Sequence, residues 1–451
     1  MRIRGSPIEL IQFVYWLALV ALLFSAPPAR AIPSFAQQTG LACSSCHVGA
    51  FGPQLKPFAR DFKLWGYQAS DGKRNVLPIA ATTQVSFTHT QQPQYPQAQR
   101  HFAANDNFAI DQTSLYYGGK AAGGFGAFAQ VTYDGLASTM HIDNIDVRKV
   151  KAYQVGGKDV VFGIDFNNSP GVQDAWQATP AWTFPYNGSG LAPGMATATV
   201  IDGTFAQSAF GAGAYVFWDY SLYAELTGYK ALAPVFAGRL GLGENSQSDV
   251  YAQWMPYWRI ALNHDFENQQ SFEIGAYGLD ASRAPGGVSN AGLDHLDDTA
   301  VDLNYFNQTL KTQVFSLHAT WIHEDQNLAA SEMLFGANPK GHLDTRRADL
   351  SWSYRDTLTP TIQAFSTTGP SDKAIYPTAT GSPNSSGYVL ELAYTPWGKP
   401  NAPFYWLNCR MAIQYTGYRE FNGDRANASA ANTTYVSFWT ALAPLGWLVS
   451  R

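Results

Sequence analysis

Ala348-Asp349-Leu350-Ser351-Trp352-Ser353-Tyr354 alternates apolar and polar side chains without a break. Ala348, Leu350, Trp352 and Tyr354 fall on one side of an extended chain, and Asp349, Ser351 and Ser353 on the other. The same period of two recurs nearby. In 312–321, Phe315, Leu317, Ala319 and Trp321 alternate with Ser316, His318 and Thr320. In 388–394, Tyr388, Leu390, Leu392 and Tyr394 alternate with Val389, Glu391 and Ala393. In 301–305, Val301, Leu303 and Tyr305 alternate with Asp302 and Asn304.

Sixteen such segments are predicted, beginning near Pro78, Phe108, Gly124, His141, Asp159, Thr204, Leu222, Tyr251, Ser271, Ala300, Thr312, Arg347, Leu358, Tyr388, Phe404 and Thr433. The connections alternate in length. Those near 120–123, 156–157, 219–220, 265–270, 310–311 and 355–357 are short, and 396–403 is longer. Those near 91–107, 168–203, 231–249, 282–298, 325–345, 368–387 and 422–432 are mostly long, with 134–140 the shorter exception. An even strand count, short turns on one side and long loops on the other describe a transmembrane antiparallel β-barrel of the outer-membrane type. Strands that span lipid must close on themselves, because no backbone group can be left unpaired there.

Composition agrees. Charged residues make up 14% of the 451 residues and aromatics 14%, with a net charge of -5, against about 25% charged in soluble domains. The chain is too apolar for disorder. It lacks the basic excess of a nucleic-acid binder, and its 3 Cys do not make a disulfide scaffold. A propeller would show repeats of about 40–50 residues, and none is visible.

The N-terminus reads as an export address over 1–31. Arg2 and Arg4 precede a mostly apolar stretch from Leu10 to Phe24, and Ala29-Arg30-Ala31 has the small-x-small cleavage pattern. No later apolar run reaches the ~20 residues of a spanning helix.

Cys43-Ser44-Ser45-Cys46-His47 is a C-x-x-C-H motif, the attachment pattern of c-type haem. The two thiols would carry the thioether links and His47 the proximal imidazole. A redox disulfide or half a zinc site is the competing reading. The first belongs in a βαβ unit; the second needs two more ligands, and the remaining cysteine, Cys409, is far away in sequence. Leu55, Phe58, Phe62 and Trp65 line one face of a predicted helix, with Pro57 in its first turn, Gly66 at its end, and Lys56, Arg60, Asp61 and Lys63 on a solvated face. Arg60 or Lys63 pairing with haem propionates is the sharper alternative. The segment up to Arg74 is too short to enclose a haem alone, so the rest of the chain must help. The organisation predicted is a signal peptide at 1–31, a monohaem segment at 32–76 and a barrel at 77–451.

The distal iron ligand is open. No Met lies between Met1 and Met140, and His47 is the only histidine before His89. Strand phase turns His318 toward the lumen and Cys409 and Met411 toward lipid. Met195 lies in a long loop able to fold inward, and a lysine of the small segment is a further possibility. Asp294, Asp297 and Asp298 are read as a solvated loop cluster, with attraction of metal cations as the alternative.

Ile32-Pro33-Ser34-Phe35-Ala36-Gln37-Gln38-Thr39-Gly40-Leu41-Ala42-Cys43-Ser44-Ser45-Cys46-His47 and its continuation from Pro57 to Tyr67 resemble the start of the fused outer-membrane monohaem cytochrome–porin family. The stretch from Asp174 to Tyr186 is similar to it too. The resemblance implies one covalent haem c on Cys43 and Cys46 with His47 as iron ligand. It implies a bacterial outer-membrane electron-transfer protein oxidising extracellular Fe(II), with a periplasmic c-type cytochrome as acceptor. An Fe(II):cytochrome c oxidoreductase activity goes with it. A conduit for another donor or acceptor, or a porin with a haem-bearing plug, is the alternative. The ending Trp447-Leu448-Val449-Ser450-Arg451 departs from the terminal aromatic usual in porins.

Overall fold

In the computed structural model the described residues are 34–72, 77–96, 99–204, 209–231, 250–251, 254–403 and 407–442. The predicted signal peptide and the C-terminal departure lie outside them.

The strands are β1 (Ile79–Thr90), β2 (Asn107–Lys120), β3 (Phe125–Asp134), β4 (Thr139–Val155), β5 (Lys158–Asn167), β6 (Ala209–Trp218) and β7 (Leu222–Ala231). Val250–Tyr251 and Trp254–Phe266 both pair with the next strand and together form β8. Then follow β9 (Gln270–Ala284), β10 (Asp294–Asn307), β11 (Gln313–Asn327), β12 (Lys340–Tyr354), β13 (Leu358–Thr368), β14 (Ser385–Tyr394), β15 (Leu407–Glu420) and β16 (Thr433–Leu442). Each strand pairs antiparallel with its chain neighbours. The ring closes where β1 meets β16, with Ala81 opposite Leu442 and Thr90 opposite Thr433. The result is the predicted closed sixteen-stranded barrel.

Alternation along each strand separates lipid from lumen. In β12, Leu350 is 48% exposed on the outer surface while Ser351 and Ser353 are fully buried. Leu390, Leu392 and Tyr394 face out, and Val389, Glu391 and Ala393 face in. Outward aromatic side chains gather at both rims. Phe315 stacks on Trp352 (6.3 Å), beside Tyr354, at the short-turn rim. Phe87 meets Phe108 (4.7 Å) at the other. Such girdles suit the two membrane interfaces, where apolar rings with polar edges are at home. A closed barrel with this outer band is the architecture of a bacterial outer-membrane protein.

Two expectations are corrected. β10 starts at Asp294 and β12 at Lys340, earlier than the alternation suggested. Beyond the membrane on the long-loop side both strand faces carry polar residues, so pairing continues where the period of two is lost. Asp294 and Asp298 are therefore buried strand residues, not solvated loop groups, while Asp297 faces outward. Asp294 caps the short helix α3 (Ala329–Phe335) by accepting from the Ala330 and Ser331 N–H groups, both at 3.0 Å.

Leu350→Arg places a charge in the apolar band and is expected to cost about 2–4 kcal/mol of folding stability, whereas Leu350→Phe is expected to be near neutral. Urea unfolding in phospholipid vesicles measures both.

Candidate functional site

The N-terminal segment is packed inside the barrel. Its helices are α1 (Ser34–Thr39) and α2 (Pro57–Leu64), with a tight helical turn over Cys43–Ser45 between them. Around the ring, Gln38 accepts from the Lys120 N–H (2.9 Å) and Tyr67 donates to Asp146 (2.6 Å). Tyr215 donates to the Leu64 carbonyl (2.5 Å) and Gln54 to Ser316 (2.5 Å). Lys56 pairs with Asp356 (3.0 Å), and Asn408 donates to the Ala50 carbonyl (2.8 Å). These partners sit on opposite sides of the wall, so the segment fills the lumen near the short-turn end. The wall makes room for it: a Cβ on Gly126 would lie 1.8 Å from the Gly66 carbonyl oxygen.

This placement overturns the solvated-face reading of α2. Pro57 opens the helix and Gly66, at φ +64°, follows its end, as predicted. Yet Lys56, Arg60 and Lys63 are buried, and Phe58 is 44% exposed. Inside a polar lumen, the charged face of a helix finds its partners on the wall. Arg60 donates to Asp265 (2.6 and 3.0 Å), Asn263 (2.8 Å) and Asp61 (2.8 Å). Its hydrogen-bonding capacity is spent there.

The long connection between β5 and β6 folds inward over α2. Asp174, fully buried, accepts from the N–H groups of Trp176 (3.1 Å), Ala178 (2.8 Å) and Thr179 (3.0 Å) and lies 3.5 Å from Arg259. Arg259 also pairs with Glu273 and Asp302. Gln177 accepts from the Leu55 N–H (2.7 Å), Thr320 donates to the Ala178 carbonyl (3.0 Å), and Gln363 donates to the Phe184 carbonyl. The stretch from Asp174 to Tyr186 is thus a second plug, laced to both the first plug and the wall. Burial pushes the Asp174 carboxyl up, but Arg259, the Thr179 and Trp176 N–H groups and Lys63 outweigh it and hold it below the usual range.

Between the plugs and the wall lies a cavity of about 500 Å³. Cys43, Cys46 and His47 border it, with Phe35, Phe62, Trp182 and Trp439 among its apolar lining. The two sulfurs are not joined in a disulfide. Burial and the neighbouring Cys43 push the unmodified Cys46 thiol up to about 12, the opposite of the low value a redox thiol needs. Burial lowers the His47 imidazole to about 4, and the ring is neutral at pH 7, as a metal ligand must be. Its Nδ1 is buried without a hydrogen bond of normal geometry, and so are the Tyr186 hydroxyl and the Trp439 Nε1 at the same cavity. Among the described residues, no three His, Cys, Asp or Glu side chains come together as a metal cluster. The volume, the paired thiols, the neutral imidazole and the aromatic lining fit a covalently attached haem.

The remaining candidates sit elsewhere. His318 faces the lumen as its strand phase implied, but it is bound to Asp349 (3.0 Å) and borders a separate pocket of about 40 Å³. Met195 lies in the inward loop beside Ala196, whose N–H donates to Asn422 (2.9 Å), away from the cavity. Cys409 shares the outward phase of Met411 and Ile413 and is fully covered. Lys63 does border the cavity. The resemblance draws attention to the stretch from Asp174 to Tyr186 but gives neither end residue a role, and Arg259 and Trp439 carry only an inward strand phase, which many lumen positions share.

No family model matches the sequence, and no curated protein matches it. Among solved structures, OmpF of Salmonella typhi in complex with daunomycin aligns with 81% of this chain and 97% of its own at 12% identity and a TM-score of 0.49. An anion-selective porin from Comamonas acidovorans aligns with 81% and 98% at 11% identity and a TM-score of 0.43. The outer-membrane channel DcaP of Acinetobacter baumannii aligns with 81% and 96% at 9% identity and a TM-score of 0.42. The barrel assignment stands on the strand pairing itself.

Asp174→Ala removes the anchor of the inward loop and leaves Arg259 short of a buried partner, a loss of about 3–5 kcal/mol. Limited proteolysis of the folded barrel should then cut within 168–204, where the parent chain resists. Because the folded carboxyl is held below its unfolded value of about 3.9, its contribution is complete above that pH. It is lost only as pH falls through the lower folded value. Resistance to cleavage should therefore persist at pH 5 and fade only in stronger acid.

Proposed function

We propose that this chain is a monohaem c-type cytochrome of the outer membrane. It takes electrons from Fe(II) at the cell surface and delivers them to a soluble periplasmic c-type cytochrome. The observation that carries this reading is the position of Cys43, Cys46 and His47 together on one lumenal cavity of about 500 Å³ inside a closed barrel. Haem held there would supply a one-electron couple within the membrane, where neither lipid nor backbone can carry charge. Cys43 and Cys46 would carry the thioether links, His47 the iron, and the barrel would exclude bulk water from the site.

The resemblance to fused cytochrome–porins names Fe(II) as donor. A conduit of the same build serving another donor or acceptor uses the same residues. A porin with a haem-bearing plug is disfavoured by the interlock of the two plugs, since Lys56, Arg60, Tyr67, Gln177 and Asp174 tie them to the wall and to each other.

Anaerobic addition of Fe(II) to the purified haem-loaded protein should produce the reduced haem absorption bands; their absence at every pH would refute Fe(II) as donor. Cys46→Ala is expected to reduce covalently retained haem severalfold, measured on denaturing gels by haem staining. Small-solute flux into proteoliposomes is expected to stay at the protein-free level.

A further inference from the structure

We propose that Lys63 supplies the second axial ligand to the haem iron, opposite in role to His47; this rests on the haem reading above. Among the described residues, few nitrogen or thioether side chains able to ligate iron border this cavity. The histidines other than His47, and the methionines Met140, Met195, Met255, Met333 and Met411, lie outside the border of the cavity. Among the described residues, Lys63 is the one lysine on that border, as His47 is the one histidine.

Its setting suits coordination. Lys63 sits in the last turn of α2 and is 6% exposed. Nζ donates to the carbonyls of Val172 (2.6 Å) and Asp174 (2.9 Å). A neutral amine has two N–H bonds and one lone pair. Two carbonyl acceptors satisfy the N–H bonds and leave the lone pair for a metal. The Trp182 ring, 5.1 Å away, also borders the cavity, and Asp146 stands at 4.0 Å. Coordination would release one ammonium proton to solvent. The same residue explains the reach of the inward loop: Val172 and Asp174 would orient the ligand, and the loop would close over it. Arg60, the alternative propionate partner, is held by Asp265.

The test uses the full-length haem-loaded protein in detergent, its haem content fixed by the pyridine haemochromogen assay. Electron paramagnetic resonance and near-infrared magnetic circular dichroism of the ferric state should report a low-spin haem with histidine and amine ligation. Lys63→Ala should convert it to high spin at unchanged haem content. Lys63→Arg, which keeps the charge and can still donate to Val172 and Asp174 but cannot ligate, should do the same. A merely structural lysine would leave Lys63→Arg low-spin. A high-spin parent protein, a histidine–methionine signature, or low-spin spectra in both variants overturns the proposal while leaving the haem reading intact. Absence of haem from the parent protein overturns both. If the variants fail to fold, the parent spectrum alone decides, because amine and thioether ligands give distinct near-infrared bands.

Discussion

In hydrocarbon, every strand N–H and C=O must be paired within the protein, and the whole structure follows from that requirement. A sheet of this length satisfies it only by closing, and the pairing of β1 with β16 is the contact that does so. Closure then forces the alternation of apolar and polar side chains into an outside and an inside. It also turns the inside into the place where charge can be kept. With only 14% of residues charged, those that remain are concentrated where they find partners: Arg148 with Asp146, Arg259 with Asp174, Glu273 and Asp302, and Arg410 with Glu391.

These buried ions are weak sources of net stability, since desolvation offsets most of their attraction. Their effect is positional. An apolar plug in an apolar lumen could slide or rotate with little penalty. A plug whose Lys56, Arg60 and Tyr67 must each meet particular wall residues has a single seat. The inward loop is fixed in the same manner, by a carboxylate that accepts three backbone N–H groups and faces one arginine. The cavity beside Cys43, Cys46 and His47 is what remains between two elements held this way.

Much of the fold was legible because membrane barrels repeat one simple pattern. The short turns and most long loops could be read from where the alternation stops. Leu358, Leu222 and Thr433 begin strands as read. The pattern failed where its cause is absent: past the lipid, at Asp294–Asp298 and Lys340–Arg346, strands keep pairing but have no apolar side to show. It failed on α2 for the converse reason. The amphipathic rule sends charge to water, and in a lumen the wall takes the place of water for Arg60 and Lys63.

The C-x-x-C-H motif is local, so sequence alone determined which two thiols and which imidazole could serve one group, and the period of two alone determined a closed barrel. Neither could say that the motif lies inside the barrel, because that depends on pairings between residues hundreds of positions apart, such as Gln54 with Ser316 and Asn408 with Ala50. Only the tertiary structure decided that His318 and Met195 stay away from the cavity and that Lys63 borders it. Strand phase gives the side a residue faces; the depth and direction at which it arrives are set by packing.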